Sequence, residues 1–202
     1  MTNLDRSEDI LNFWFGTLNK ATEYPVEKAK VWFMKNEDVD KEIYNSFHKD
    51  LQKAQKGDYS SWELTPKSRL ALVILYDQFP RNMFRNSHKA FLGDREALRL
   101  VHEGLEKKDD QNLLPVERFF FYMPLMHSEN LKIQDESITC FQNLLDEVPL
   151  ELKGKFENTL KYAYDHRYII QKFSRFPHRN SLLSRESTQE ELEFLKQPNS
   201  SF

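Results

Sequence analysis

The sequence predicts an all-α protein of about nine helices, stacked as antiparallel hairpins in a single domain over residues 1–202. Apolar residues recur at spacings of three and four, as in Ile43, Phe47, Leu51 and Ala54. Short polar breaks containing glycine or proline separate these segments. No segment between them shows the sustained alternation of a β-strand, so the helices are expected to follow one another directly.

Helices are predicted to begin where a capping residue or a proline precedes an apolar segment. In chain order these starts are Ser7, Pro25, Thr65-Pro66, Asp94, Pro115 and Thr188, the last as a capping box with Glu191. Glycine or proline is predicted to end helices at Gly16, Gly57 and Pro198. Apolar spacing predicts two further long helices, over 131–147 and 152–173. The last five or so residues are expected to fray.

The helix that begins at Thr65 is predicted to be central, because it is apolar nearly all round from Leu70 to Tyr76. Phe79-Pro80 is expected to stop this helix, since proline lacks a backbone N–H. Phe176-Pro177 is expected to stop a later helix in the same way. Both stops end in Arg-Asn, the first as Arg81-Asn82 and the second as His178-Arg179-Asn180. We call these two segments the Arg-Asn corners.

Composition and charge exclude several classes of protein. The chain has 29 basic and 32 acidic residues, so no overall positive field favours nucleic acid or an anionic membrane. The single cysteine rules out an internal disulfide, and the acidic segment 1–9 lacks the features of a signal peptide. The longest apolar segments, 70–76 and 119–126, are far too short to span a bilayer. A cytoplasmic protein without nucleic-acid or membrane partners is predicted.

Motifs for common cofactors are missing from the sequence. Five glycines cannot form a glycine-rich phosphate loop or a dinucleotide-binding segment. No zinc-binding His-Glu-x-x-His is present, and His127-Ser128-Glu129 is interpreted as a surface or capping segment. Neither a cofactor nor a metal is therefore predicted.

Three groups of residues are candidates for chemistry. They are Asp77 with Arg81, Asn82 and Arg85; Glu117 with Arg118; and Asp165, His166 and Arg167 with Arg175, His178, Arg179, Asn180 and Arg185. A partly buried carboxylate beside a guanidinium is typical of anion recognition or acid–base catalysis. Each group also has a structural interpretation, as an ion pair that fixes a helix end or as a solvated first turn.

Several segments together resemble the DUF924 family of uncharacterised bacterial and fungal proteins. They are residues 11–15, 32–33, 75–85, 117–129 and 166–180, spread over nearly the whole chain. The resemblance implies an all-helical, tetratricopeptide-like superhelical fold and no established activity. One departure is Ser184, at a position where the family pattern suggests glycine before the arginine.

The hypothesis favoured by the sequence is a helical binding protein with a polar cleft for a small anionic ligand or an acidic peptide end. The residues predicted to bind this ligand are Arg81, Asn82, Arg85, Arg175, Arg179 and Asn180. The two corners are predicted to meet in space, around at least one buried acid with a depressed pKa; the candidate acids are Asp77, Glu117 and Asp165.

Two other functions stay open at this point, as does the oligomeric state. A hydrolase-type enzyme would pair Asp77 or Glu117 with His166 or His178 as base and acid, assisted by arginine. A protein-interaction scaffold would instead carry a long groove lined by exposed aromatic residues.

Overall fold

The computed structural model describes residues 3–198 and 200, with side chains from residue 6 onward, and this part of the chain is helical without any strand. The α-helices are α1 (Asn3–Phe15), α2 (Val26–Phe33), α3 (Glu37–Gln55), α4 (Pro66–Val73), α5 (Phe79–Met83), α6 (Asp94–Glu106), α7 (Pro115–Met126), α8 (Leu131–Glu147), α9 (Lys153–Phe173) and α10 (Gln189–Leu195). A π-helical turn, Ile74–Gln78, joins α4 to α5 without a break. With α4 and α5 counted as one, the described residues form nine helices, which confirms the all-α prediction; the tetratricopeptide-like superhelix stays a prediction.

Short 3₁₀ segments fill several of the connections. They are Ser60–Leu64, His88–Phe91, Asp109–Asn112, Leu150–Leu152 and Pro177–Arg179. Two predicted caps are found: Thr65 accepts a hydrogen bond from the N–H of Ser68, and Thr188 forms the capping box with Glu191. Asp94 is not the predicted cap, because it is the first residue of α6 and Gly93 occupies the N-cap position. The predicted start at Ser7 is wrong, because α1 already begins at Asn3.

The core is built around α4, as the sequence predicts. Its side chains from Leu70 to Val73 are buried, and the π turn that follows is buried along its whole length. Helices α1, α6 and α7 pack against α4. Aromatic rings complete this core, with Phe79 edge-on to Trp14 at 5.6 Å and stacked on Phe47 at 4.8 Å. The polar residues at the end of α4 are therefore held by a rigid apolar frame.

Phe79-Pro80 does not stop the helix, contrary to the prediction. In the π turn, the N–H of Phe79 donates to the carbonyl of Ile74, five residues back, and Pro80 then lies in the first turn of α5. A missing N–H is tolerated in a first turn. The carbonyl of Asp77 accepts a hydrogen bond from Arg81 Nη1 at 2.5 Å. The helix therefore continues to Met83 and carries Arg81 on its last turn.

The second corner also differs in detail from the prediction. Helix α9 ends at Phe173, before Phe176-Pro177 is reached, and Ser174 adopts a left-handed conformation with φ of 58°. Pro177 then opens the 3₁₀ turn that carries His178 and Arg179. Ser184 also has a positive φ, of 53°, which explains why glycine suits that position.

A smaller apolar cluster secures the end of the chain. Ile169 and Ile170 of α9 pack there with Phe176 and Phe194. Beyond α10, the hydroxyl of Ser200 donates to the carbonyl of Leu195 at 3.1 Å. Of the residues expected to fray, 199, 201 and 202 lie outside the described part. No helix of the described part is long and apolar enough to cross a membrane.

Candidate functional site

The two Arg-Asn corners meet at Asp94, the first residue of α6. Arg81 Nη1 lies 2.9 Å from Asp94 Oδ1, and Arg179 Nη1 lies 3.4 Å from Asp94 Oδ2. Both guanidinium groups also lie over the ring of Phe91, at 5.9 Å and 4.8 Å from its centroid. The predicted proximity of the corners is confirmed. The acceptor that the two arginines share is Asp94, which the sequence suggested only as a helix cap.

Asp77 lies behind Arg81 and is fully buried in the π turn. Its Oδ1 accepts a hydrogen bond from His127 Nδ1 at 2.7 Å and lies 3.3 Å from Arg81 Nη1, while its Oδ2 accepts from Gln78 Nε2 at 2.5 Å. Burial acts to raise the pKa of this carboxyl, but Arg81 and His127 outweigh burial and hold the pKa well below its usual range. Asp77 is therefore the predicted buried acid with a depressed pKa.

His127 is the neutral partner of Asp77. Burial and the nearby charge of Arg81 lower its pKa, against the opposing effect of Asp77. A neutral imidazole beside an ionised carboxylate carries its proton on the nitrogen that faces the oxygen, so Nδ1 donates. His127 is the C-cap residue of α7, in line with the capping interpretation, but its side chain is largely buried and is not a surface group.

Two further histidines lie beside this pair. The ring of His166 is centred 6.4 Å from that of His127, and Phe176 lies 5.6 Å from both His166 and His178. Nδ1 of His166 donates to the carbonyl of Tyr162 at 2.7 Å. Burial lowers the pKa of His166 to about 3 and that of His178 to about 4. Both imidazoles are therefore neutral at neutral pH.

We call this set of residues the polar site. Its members are Asp77, Arg81, Asp94, His127, His166, His178 and Arg179. Two carboxylates balance two guanidinium groups, and the three histidines are neutral. Arg81 and Asp94 keep 21% and 24% of their side chains exposed, so the otherwise buried site reaches the surface at this pair.

The two arginines of the polar site have hydrogen-bonding capacity left over. Nη2 of Arg81 and Nε of Arg179 are buried, and neither has a hydrogen-bond partner among the described residues. Burial and the charge of Arg81 lower the pKa of Arg179 to about 10. Buried donors without acceptors are costly. Two donors of the polar site are left unsatisfied by the described residues.

Asn82 and Arg85 follow Arg81 in the chain, but the structure does not bring them to the polar site. Both of them bind Asp40 of α3: Arg85 through Nε and Nη2, each at 2.7 Å, and Asn82 through Nδ2 at 2.9 Å. These bonds connect α5 to α3. The two residues therefore stabilise the first corner through α3 and do not line the polar site.

Arg175 and Asn180 play a similar part at the second corner. Arg175 binds both carboxylate oxygens of Glu191 in α10, at 2.6 and 2.8 Å. Asn180 donates to the same carboxylate at 3.2 Å and to Ser187 at 3.0 Å. Their side chains are engaged with α10 and its N-terminal cap.

The remaining candidate acids are engaged elsewhere. Glu117 pairs with Lys67 and accepts the N–H of Leu114 at 2.8 Å, so it caps α7. Asp165 pairs with Lys161 on the exposed face of α9. Neither of these acids lies between the corners. Asp77 pairs with Arg81 but not with Arg179 among the described residues, so none of the three predicted acids is the acceptor that both arginines share.

Glu129 is a residue that the sequence reasoning missed. Its carboxylate binds Arg185 through two hydrogen bonds of 2.7 and 3.0 Å and accepts the N–H of Phe176 at 2.8 Å. The segment from His127 to Glu129 thus connects the end of α7 to both corners. The only sequence signal was the His-Ser-Glu string directly after a strongly apolar helix. No three His, Cys, Asp or Glu side chains of the described part are arranged to hold a metal ion.

The chain is similar to known proteins whose function is unknown. The model of the family described as "Bacterial protein of unknown function (DUF924)" matches residues 10–199. A solved structure of a protein of unknown function from Agrobacterium tumefaciens is similar, with a TM-score of 0.81 and 31% sequence identity, over 96% of this chain and 99% of that chain. Among curated proteins, none matches the sequence significantly.

Proposed function

Since the chain belongs to the DUF924 family of bacterial proteins of unknown function, we propose its function from the polar site: it binds a small anionic ligand between Arg81 and Arg179. The ligand carries a carboxylate or a phosphate group, and the carboxyl end of an acidic peptide has the same chemistry. Planar guanidinium groups suit both anions, because they offer paired donors in a fixed geometry.

The observation that carries this proposal is the pair of buried guanidinium donors without partners, Arg81 Nη2 and Arg179 Nε. They belong to two side chains that already share one carboxylate, Asp94. An oxygen anion beside Asp94 would accept from both arginines. Burial and the charge of Arg81 lower the pKa of Arg179, and the anion would offset this repulsion by Arg81.

The other residues of the site have supporting roles in this proposal. The ring of Phe91 lies within 5.9 Å of both guanidinium groups and attracts them by cation–π interaction. Asp77 holds Arg81 from behind through a 3.3 Å contact. The ion pairs Asp40–Arg85 and Glu191–Arg175 stabilise the backbone of the two corners. Arg81 and Arg179 are therefore preorganised for binding.

An enzyme is the second candidate, favoured by the 2.7 Å contact between Asp77 and His127. A carboxylate that orients an imidazole is typical of general acid–base catalysis. Arg81 neutralises this carboxylate, however, and the carboxylate is fully buried. Binding is therefore the function that the geometry favours.

The test is calorimetric titration with phosphate, sulfate and acetate at constant ionic strength. We expect Arg81→Lys and Arg179→Lys, which keep the charge but lose the paired donors, to weaken anion binding by about tenfold or more. Arg85→Lys is the matched control, because Arg85 lies at the same corner but binds Asp40. We expect it to bind like the wild type.

Two results would contradict the binding proposal. One is that no anion binds to the wild-type protein, and the other is that Arg85→Lys weakens binding as much as Arg179→Lys does. Hydrolysis of phosphate or carboxylate esters that is abolished by His127→Gln would favour the enzyme instead.

A further inference from the structure

A groove lies on the outer side of the first corner, between α3, α5 and the segment that leads into α6. It encloses about 380 Å³, which is in the range of small-molecule sites. Its lining residues are Tyr44, His48, Leu51, Gln52, Gln55, Pro80, Phe84, Lys89, Leu92 and Gly93. None of them belongs to the polar site.

Aromatic rings form one wall of this groove. Tyr44 and His48 are stacked one turn apart on α3, with ring centroids 4.5 Å apart and planes inclined by 12°. Phe84 meets both rings edge-on, at 6.2 Å and 5.9 Å. Tyr44 is nevertheless 41% exposed, so much of its ring surface is left uncovered. Such a wall favours a planar ring, which can join the cluster by stacking or by edge contacts.

The charge of the groove is positive. Lys89 is the one lining residue with a permanent charge, and its Nζ lies 5.9 Å over the ring of Phe84. Its ammonium group forms no ion pair with any described residue. Gln52 and Gln55 add amide groups, and no Asp or Glu lines the groove in the described part. The groove therefore combines an aromatic wall with one uncompensated cation.

The walls of the groove are fixed by contacts outside it. Asp40 of α3 binds Asn82 at the end of α5 and Arg85 just beyond it, and Phe84 lies between these two residues in the chain. On the other side, Gly93 packs so closely against the π turn that a Cβ at this position would lie 2.1 Å from the carbonyl oxygen of Tyr76. This contact closes the groove on the side of α6.

We infer that this groove is a second binding site, which takes a small aromatic carboxylate. Tyr44, His48 and Phe84 would contact the ring, and Lys89 would pair with the carboxylate. This inference goes beyond the proposed function, because it uses none of the residues of the polar site. A ligand in the groove would nonetheless touch Pro80 and Gly93, each the direct neighbour of a polar-site residue, Arg81 or Asp94.

The experiment uses benzoate as the probe in calorimetric titrations of the whole protein. Cyclohexanecarboxylate keeps the charge and lacks the aromatic ring, while benzyl alcohol keeps the ring and lacks the charge. We expect both compounds to bind at least about fivefold more weakly than benzoate, because each loses one of the two interactions. Equal affinity of either analogue would overturn the assignment.

Variants of groove residues test whether benzoate binds in the groove. We expect Lys89→Met and Tyr44→Leu each to weaken benzoate binding by about fivefold or more. Lys132→Met is the matched control: this exposed lysine lies on α8, and we expect it to bind like the wild type. Circular dichroism of each variant checks that the fold is kept.

The two proposals can fail separately. The polar site is itself proposed to take carboxylates, so benzoate is titrated here with phosphate present to occupy that site. Under this condition we expect Arg179→Lys to leave benzoate binding unchanged, and we expect Lys89→Met to leave phosphate binding unchanged. Benzoate binding that is lost in Arg179→Lys but kept in Lys89→Met would place the aromatic acid in the polar site and overturn the groove inference. No benzoate binding at millimolar concentration would overturn it as well.

Discussion

Asp77 is the residue on which the electrostatics of the polar site depend. Its carboxylate has no exposed surface and is in contact with Arg81, His127 and Gln78. A buried charge is tolerated only when it is paired and hydrogen-bonded, and these three partners meet that condition. The carboxylate in turn keeps Arg81 in position for the contact with Asp94.

We predict that Asp77→Asn destabilises the protein by about 1–3 kcal/mol, because it leaves the half-buried Arg81 with a single carboxylate partner, Asp94. The free energy of unfolding in urea is the measurement. Asp165→Asn is the control, since that residue forms a surface pair with Lys161. We expect it to leave the urea midpoint unchanged.

A loss below about 1 kcal/mol in Asp77→Asn would contradict this account. It would mean that Asp77 is protonated in the folded protein, so that an amide replaces it without a change of charge. The depressed pKa of Asp77 predicts the opposite.

At the scale of the elements, the contact between the π turn and the start of α6 decides where Asp94 lies. Gly93 immediately precedes Asp94 and packs against the carbonyl of Tyr76. The π turn contains one more residue per hydrogen-bonded ring than an α-helix, which directs Asp77 inward and allows Pro80 to follow. The two arginines therefore reach Asp94 because two backbone segments touch without a side chain between them.

We predict that Gly93→Ala destabilises the protein by about 1–3 kcal/mol, because its methyl group would overlap a backbone oxygen at 2.1 Å. Gly154→Ala is the matched control: nothing lies within 4 Å of a Cβ there, in the first turn of α9. We expect it to stabilise the protein by up to about 1 kcal/mol. Thermal and urea unfolding of the pair give the comparison, and equal effects at the two positions would contradict the close packing.

Elements whose signals are local could be predicted from the sequence. The capping box at Thr188 depends on a residue three positions away, and the start of α7 depends on Pro115 alone. Both are found. The π turn could not be predicted, because no residue between Leu70 and Pro80 distinguishes it from an α-helix. The sequence therefore predicts a stop at Phe79-Pro80, although one extra residue in the turn lets the helix continue.

For the whole molecule, the sequence predicts that the two Arg-Asn corners meet, but it does not identify Asp94 as the carboxylate between them. Arg179 reaches Asp94 across 85 positions, and His127 reaches Asp77 across 50. No local pattern encodes such partners, since they depend on how α6 and α7 pack against α4. Four predicted ligand residues, Asn82, Arg85, Arg175 and Asn180, are correspondingly engaged by acids that the sequence did not connect to them.

The stability of the whole molecule is predicted to fall as the pH decreases from 7 towards 5. His127, His166 and His178 have pKa values below 6.5 in the folded protein, because burial disfavours their charged forms. In the unfolded chain they take up protons near pH 6.5. Between pH 6.5 and the folded pKa values of about 3 and 4 for His166 and His178, the unfolded chain thus binds more protons than the folded one.

Each histidine that stays neutral lowers the free energy of unfolding by up to about 1.4 kcal/mol per pH unit in this window. Urea unfolding at intervals from pH 8 to pH 5 measures the slope. We expect His166→Gln and His178→Gln each to reduce this slope by the contribution of one histidine. His88 is exposed, and we expect His88→Gln to leave the slope unchanged. Carboxylates with lowered pKa values, such as Glu129 and Glu191, contribute to the loss only below about pH 4.5. A stability that stays constant down to pH 5 would therefore mean that the histidines of the polar site accept protons in the folded protein.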